Sequence, residues 1–112
     1  MPSNDVSALG EFEQVVLLAI LRLGDSAYAV SIRDEIVLNT GRDVARGSIY
    51  ITLDRLETKG FLKSRLGDPT PERGGRARRH FRIEAEGRRA LRTSQDAIRK
   101  MSAGLGARWE IA

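Results

Sequence analysis

Arginine crowds one stretch of this sequence: Arg73, Arg76, Arg78, Arg79 and Arg82 fall within ten residues, with no acid among them after Glu72. The planar guanidinium fork matches phosphate oxygens and base edges better than a lysine ammonium does, and Arg supplies 16 of the 19 cations. A second set lies upstream, at Arg46, Gly47, Ser48, Tyr50, Ile51, Thr52 and Arg55. Small residues at the start of such a run let a backbone approach closely, while polar or forked side chains further on can read base edges. Other chemistry is poorly served. There is no cysteine, which excludes disulfides, thiolate metal sites and a cysteine nucleophile. His80 is the one histidine, and no paired acid and base, activated nucleophile or metal-ligand set accompanies it. Neither an enzyme, a cofactor nor a bound metal is expected.

The distribution of charge sharpens this reading. The whole chain, 112 residues, carries a formal charge of +4. Residues 1 to 56 hold five Arg and eight acids, a balance of −3, so the second half stands at +7. Hydrophobic residues at 41% and charged ones at 30% are the proportions of a folded domain, and the length makes one compact domain the default. The longest apolar run, Val15 to Leu21, is about a third of the ~20 residues needed to cross a bilayer, so no membrane partner is expected. The stretch Met1-Pro-Ser-Asn-Asp5 is acidic and unlike a signal peptide, which points to a cytoplasmic location.

Three helices precede the arginine cluster. Phe12, Val15, Val16, Ala19, Ile20 and Leu23 share one helical face over Glu11 to Leu23. Leu17, Leu18 and Leu21 widen the stripe enough to call for a second packing surface, either elsewhere in the domain or on another subunit. A second helix spans about Ala27 to Asn39, capped by Asp25 or Ser26 and stopped at Thr40-Gly41. A third runs from about Arg46 to Lys59, with Ile49, Leu53 and Leu56 inward and Gly47, Ser48, Ile51, Thr52 and Arg55 outward; Tyr50 sits at the edge between the two faces. Asp54 and Glu57 would repel phosphate, so they are expected to turn aside and pair with nearby cations.

Alternation then replaces helical periodicity. Residues 61–66 and 78–83 read as two strands around a loop, residues 67–75, that holds two prolines and three glycines. His80, alternating with inward Phe81, points outward as a surface or phosphate-contacting residue. A last helix begins at about Arg88 and carries a sparse apolar seam of Leu91, Ile98, Met101, Leu105 and Trp109. The fold class is mainly α with a small β component (α+β): a winged helix-turn-helix with a β-hairpin wing over residues 8–85, then a C-terminal dimerisation helix over 86–112. In such a fold the third helix enters the major groove, while Arg73, Arg76 and Arg78 on the wing reach phosphates or the minor groove.

Two stretches carry a family resemblance. Gly47-Ser-Ile-Tyr-Ile-Thr-Leu-Asp-Arg-Leu-Glu-Thr-Lys-Gly-Phe-Leu62 and Gly75-Arg-Ala-Arg-Arg-His-Phe-Arg-Ile-Glu-Ala-Glu-Gly87 resemble the PadR family of transcriptional regulators, in its short form with one C-terminal helix. The resemblance covers roughly residues 8 to 95. Ala29, Ala45 and Ala85 depart from it, standing where the family tends to have glycine, a capping serine and threonine. It implies DNA contacts by Tyr50 and the wing arginines, homodimerisation through the last helix and repression as the usual outcome.

The seam points to a dimer on its own terms. Ile98, Met101 and Leu105 are spaced 3 and 4, and Trp109 continues the series. Burying each would contribute about 1.5–3 kcal/mol, against about 1 kcal/mol for each of Gly104 and Gly106 inside a helix. With Phe12 and Leu91 these residues make up the expected dimer interface; the alternative is a helix folded back on its own domain. Two copies would set two reading helices about 34 Å apart and call for a palindromic double-stranded DNA site. Trp109, Met101 and Phe12 can also line an apolar pocket for a small aromatic effector. The competing reading of the whole chain is a winged-helix module that binds RNA or another protein without sequence-specific DNA binding.

Overall fold

The computed structural model describes residues 9–67 and 77–110. Its elements are α1 (Glu11–Leu23), α2 (Ala29–Thr40), α3 (Arg46–Thr58), β1 (Leu62–Leu66), β2 (Arg79–Ile83) and α4 (Ala85–Ser102), with short 3-10 turns at Gly24–Ser26 and Gly106–Glu110. Four helices and one antiparallel hairpin thus make up a winged-helix fold.

The core forms where the apolar stripes of α1, α2 and α3 meet. Val16, Leu17, Ile32, Ile49, Leu53 and Leu56 are completely or almost completely buried there. Leu17 lies in this core, while Leu18 and Leu21 stay about 40% exposed, at 39% and 40%. The second edge of α1 faces α4 in part: Gln95 on α4 donates to Gln14 on α1 at 2.7 Å, and Leu21 and Leu91 border a common groove.

Local chemistry sets the ends of the helices. Glu13 accepts the Gly10 amide at 2.9 Å and starts α1. Instead of being capped by Asp25 or Ser26, α2 begins after Tyr28, whose amide donates to Ser31 Oγ at 3.0 Å; that hydroxyl in turn donates to the Ser26 carbonyl. The difference arises because residues 27 and 28 are drawn into the sheet. The Phe81 amide donates to the Ala27 carbonyl at 2.9 Å and Tyr28 bridges His80, so this segment is extended where helix was expected. Gly41, at φ 69°, ends α2 in the left-handed conformation that glycine takes without strain.

In the hairpin Leu62 pairs with Ile83, Ser64 with Phe81 and Leu66 with Arg79. Phe81 and Ile83 point into the core, and Lys63, Arg65 and Arg82 point out. The chain then turns straight into α4, which starts three residues earlier than its periodicity indicates. Gly87, Ala90 and Leu91 are buried, so the first turns of α4 belong to the same core as the helices before them. Leu91 is therefore withdrawn from the expected dimer interface. The seam is also shorter than expected. Ala103 is extended, Gly104 and Gly106 take φ of 76° and 50°, and Leu105 and Trp109 fall beyond α4 in the following turn. The helix ends where the Ala103 backbone becomes extended, and the left-handed Gly104 after it keeps the chain out of the helical ladder.

Gly87 has the tightest surroundings of the described glycines. A Cβ at this position would stand 2.4 Å from the Phe61 carbonyl oxygen and 2.9 Å from the Phe61 Cβ. That oxygen already accepts the Glu84 amide at 2.8 Å, so the backbone has no freedom to retreat. Gly87→Ala is expected to lower unfolding stability by about 1–3 kcal/mol or more in denaturant titrations. Gly47→Ala, at a position with nothing within 4 Å of the added methyl, is expected to cause no such loss.

An ion pair buried on its glutamate side ties the start of α1 to the end of α3. Glu13 Oε2 accepts Lys59 Nζ at 2.9 Å while its side chain is 8% exposed. Burial alone would raise the carboxyl pKa, but the hydrogen bonds from Lys59 and the Gly10 amide outweigh it and hold the group below the ordinary glutamate value. A lowered folded pKa adds stability that is complete above the unfolded value and disappears as pH falls through the folded one. Thermal scans should therefore show stability falling from about pH 4.3 downward. In Glu13→Gln that part of the acid dependence should vanish, at a cost of about 1–3 kcal/mol near neutrality.

Candidate nucleic-acid interface

The exposed stripe of α3 follows from its spacing. Gly47, Tyr50, Ile51, Asp54 and Arg55 fall at i, i+3, i+4, i+7 and i+8, and all are exposed, Tyr50 to 55% and Ile51 to 60%. Arg46 and Ser48 are exposed beside them at the helix start. Thr52 is not part of this surface: it is 5% exposed. With Ile49, Leu53 and Leu56 it completes the i, i+3, i+4, i+7 pattern of the inner face, which a small threonine can join without leaving a polar atom unpaired among the described residues.

Asp54 also departs from expectation, since it lies on the outer stripe and has no cation partner among the described residues. Glu57 does turn aside, but toward a hydroxyl: Ser64 Oγ donates to it at 2.7 Å and accepts from Arg79 Nη1 at 3.1 Å. An exposed carboxylate between Tyr50 and Arg55 is suited to accept from a cytosine amino group in the major groove. The same i+3, i+4 count that places Ile51 and Arg55 outward was sufficient to locate it.

No side chain among the described residues caps the start of α3. The Ser48 and Ile49 amides reach the Ala45 carbonyl at 3.1 and 3.4 Å, whereas the Arg46 and Gly47 amides find no acceptor among the described residues. Two free amides at the positive end of a helix dipole, flanked by the Arg46 guanidinium, form a surface for phosphate. The turn leading into it is held by Arg33 Nε, which donates to the Val44 carbonyl at 2.6 Å.

At the base of the wing the Gly67 amide donates to the Arg78 carbonyl at 2.7 Å. The Arg78 guanidinium stands 4.4 Å from the centre of the Tyr28 ring. His80 meets the same ring edge-on at 5.6 Å, and its Nδ1 donates to the Asp25 carbonyl at 3.1 Å. His80 is thus a packing residue between the hairpin and the turn before α2, and only half outward. Tyr28 is the platform on which Arg78 rests. Arg73 and Arg76 lie outside the described residues.

The sequence profile of the transcriptional regulator PadR-like family matches residues 17–93. The chain belongs to this family. Its members are regulators of transcription, not enzymes. The fold is similar to that of a PadR family transcription regulator from Clostridium difficile, 21% identical with a TM-score of 0.66, over 84% of this chain and 94% of that one. A PadR family transcriptional regulator from Eggerthella lenta is 24% identical with a TM-score of 0.65, over 91% and 88%. The winged-helix DNA-binding protein F93 from STIV shares the fold at 15% identity, with a TM-score of 0.63 over 86% and 97%. No curated protein matches the chain.

On this PadR-like frame the described interface residues fall into two groups: the outer stripe of α3 with its open amino end, and the Tyr28–Arg78 stack at the wing base. Of the residues expected at a dimer seam, Ile98, Met101 and Trp109 are exposed, to 63%, 79% and 64%. Phe12 and Leu105 are half-buried, Phe12 against the core. Among the described residues no helix is long and apolar enough to cross a membrane.

A double-mutant cycle tests the stack. Tyr28→Leu and Arg78→Ala, combined in unfolding measurements, should show a coupling of about 0.5–1 kcal/mol, the size of an exposed cation–π contact. Additive losses would mean that Arg78 does not depend on the ring.

Proposed function

We propose that this protein is a sequence-specific DNA-binding repressor that acts as a homodimer on a palindromic operator. The observation that supports this most directly is the outer stripe of α3, whose uncapped amino end and side chains Ser48, Tyr50, Ile51, Asp54 and Arg55 suit entry into a major groove. In this reading Arg46 and the free amides hold phosphate, while Arg55 and Asp54 read base edges. Arg78, with Arg73 and Arg76, grips the backbone or minor groove beside the reading helix.

Dimerisation is supported by an apolar surface that the single chain leaves uncovered. Ile98 and Met101 on α4, Trp109 beyond it, and Leu18 on α1 are all exposed. A second copy that covers them would gain about 1.5–3 kcal/mol for each side chain fully buried, before ordering costs. Phe12 packs against the core and Met101 and Trp109 project outward, so an apolar effector pocket of these residues would form only with a second copy present.

Gel-shift titrations with the DNA upstream of the protein's own gene provide the test. Binding should survive excess unrelated DNA, and log K should fall linearly with log salt by about 0.9 for each phosphate contact. Arg55→Ala should reduce affinity for the operator by about tenfold or more and leave non-specific binding nearly unchanged. Met101→Glu should give a monomer by sedimentation and lose the operator complex. Binding indifferent to competitor DNA would overturn sequence specificity, and a monomer that binds the full operator as tightly as the wild type would overturn the paired reading.

A further inference from the structure

Away from α3, the outer face of the hairpin is built of like charges. Lys63 lies directly across from Arg82, and Arg65 stands two residues along β1 on the same face. Like charges in direct cross-strand register destabilise a hairpin, and Arg88, from the first turn of α4, adds another to the same place. Little answers them. Arg82 reaches Glu84 only at 3.9 Å, and Lys63, Arg65 and Arg88 have no ion-pair partner among the described residues.

These cations border a groove of about 420 Å³ between the hairpin, the end of α1 and the start of α4. The rest of its lining is mixed: half-exposed Leu21 and the edges of buried Ile20, Phe81 and Ile83 give it an apolar floor, and Ser64, His80 and Asp25 complete it. No residue of α3 lines it, so it is separate from the reading surface. The size falls within the range of small-molecule clefts, roughly 300–1,000 Å³. Asp25 lies at the α1 end, where a continuous phosphodiester chain would meet a negative charge. A molecule with a single anionic head and an uncharged body would not.

We propose that this groove binds a small amphipathic anion, its carboxylate or phosphate head held by Lys63, Arg82 and Arg88 and its apolar body laid along Leu21 and Ile20. The ligand relieves the repulsion between the paired strands, and it lies one side chain, His80, from the stack that carries Arg78.

Isothermal titration of the full chain with decanoate, decyl phosphate, decanol and inorganic phosphate tests the proposal, with amide shifts in NMR spectra locating the site. Decanoate or decyl phosphate should bind, the better of the two naming the head group, and decanol and inorganic phosphate should each bind at least tenfold more weakly. Lys63→Glu should weaken anion binding about tenfold or more, as expected for a lost charge-assisted contact, while raising the thermal midpoint by turning a repulsive cross-strand pair into an attractive one. Arg88→Gln, on a different element, should weaken binding in the same sense. The proposal is overturned if neither amphiphile binds, if decanol binds as well as decanoate, if both variants bind like the wild type, or if the shifts map to Met101 and Trp109. Displacement of decanoate by unrelated double-stranded DNA would also overturn it, assigning the face to nucleic acid.

Discussion

A single close approach, of Gly87 to the carbonyl of Phe61, holds the working parts of this molecule in place. Phe61 follows α3, precedes β1 and sends its amide back to the Leu56 carbonyl. Its own carbonyl takes the Glu84 amide between β2 and α4, and it stands in the space that a methyl group on Gly87 of α4 would need. The end of α3, both strands of the hairpin and the start of the last helix are thereby fixed around one peptide group. The direction in which α4 leaves the domain, and so the position of its exposed apolar side, follows from that contact.

Electrostatics divides the molecule along the same lines. Three of the eight acids in the first half are tied up in pairs between separate elements: Glu11 with Arg42, Glu13 with Lys59 and Glu35 with Arg22. The Arg42 hydrogen bond to Glu11 and the Arg22 hydrogen bond to Glu35 hold both carboxyls below their ordinary values, so they remain ionised near neutrality. Only the Glu13–Lys59 pair is sheltered enough to matter greatly for stability, since exposed pairs are screened by water and salt. The basic residues of the hairpin are mostly left without such partners. Among the described residues their charge is thus left open to solvent.

Much of this was legible in the residues. The helix order, the inner stripe of Ile49, Leu53 and Leu56, the switch to alternation after Gly60 and the family resemblance all follow from periods of 3.6 and 2, which any chain must obey to bury one face. Finer placements were not. Thr52 looked outward because it is polar, yet the helical count assigns it to the core; Asp54 looked misplaced because it is acidic, yet the same count sets it on the outer stripe. In both cases residue type outweighed geometry. Leu91 and Trp109 shared one apparent seam because spacing alone does not reveal that a helix is buried at its start and ends before Gly104.

The sequence by itself determined the elements, the charge imbalance between the halves and the glycines that must stop helices, because these depend on backbone sterics and on neighbours within one or two turns. Only the tertiary structure decided that Tyr28 supports Arg78, that Leu91 belongs to the core, that Lys63 faces Arg82 across the strands and that Gly87 is needed for the space beside Phe61. Those relations join residues far apart in the chain. Each arises when the strand register and the packing of α4 against α1 close the fold, a long-range condition that no local period records.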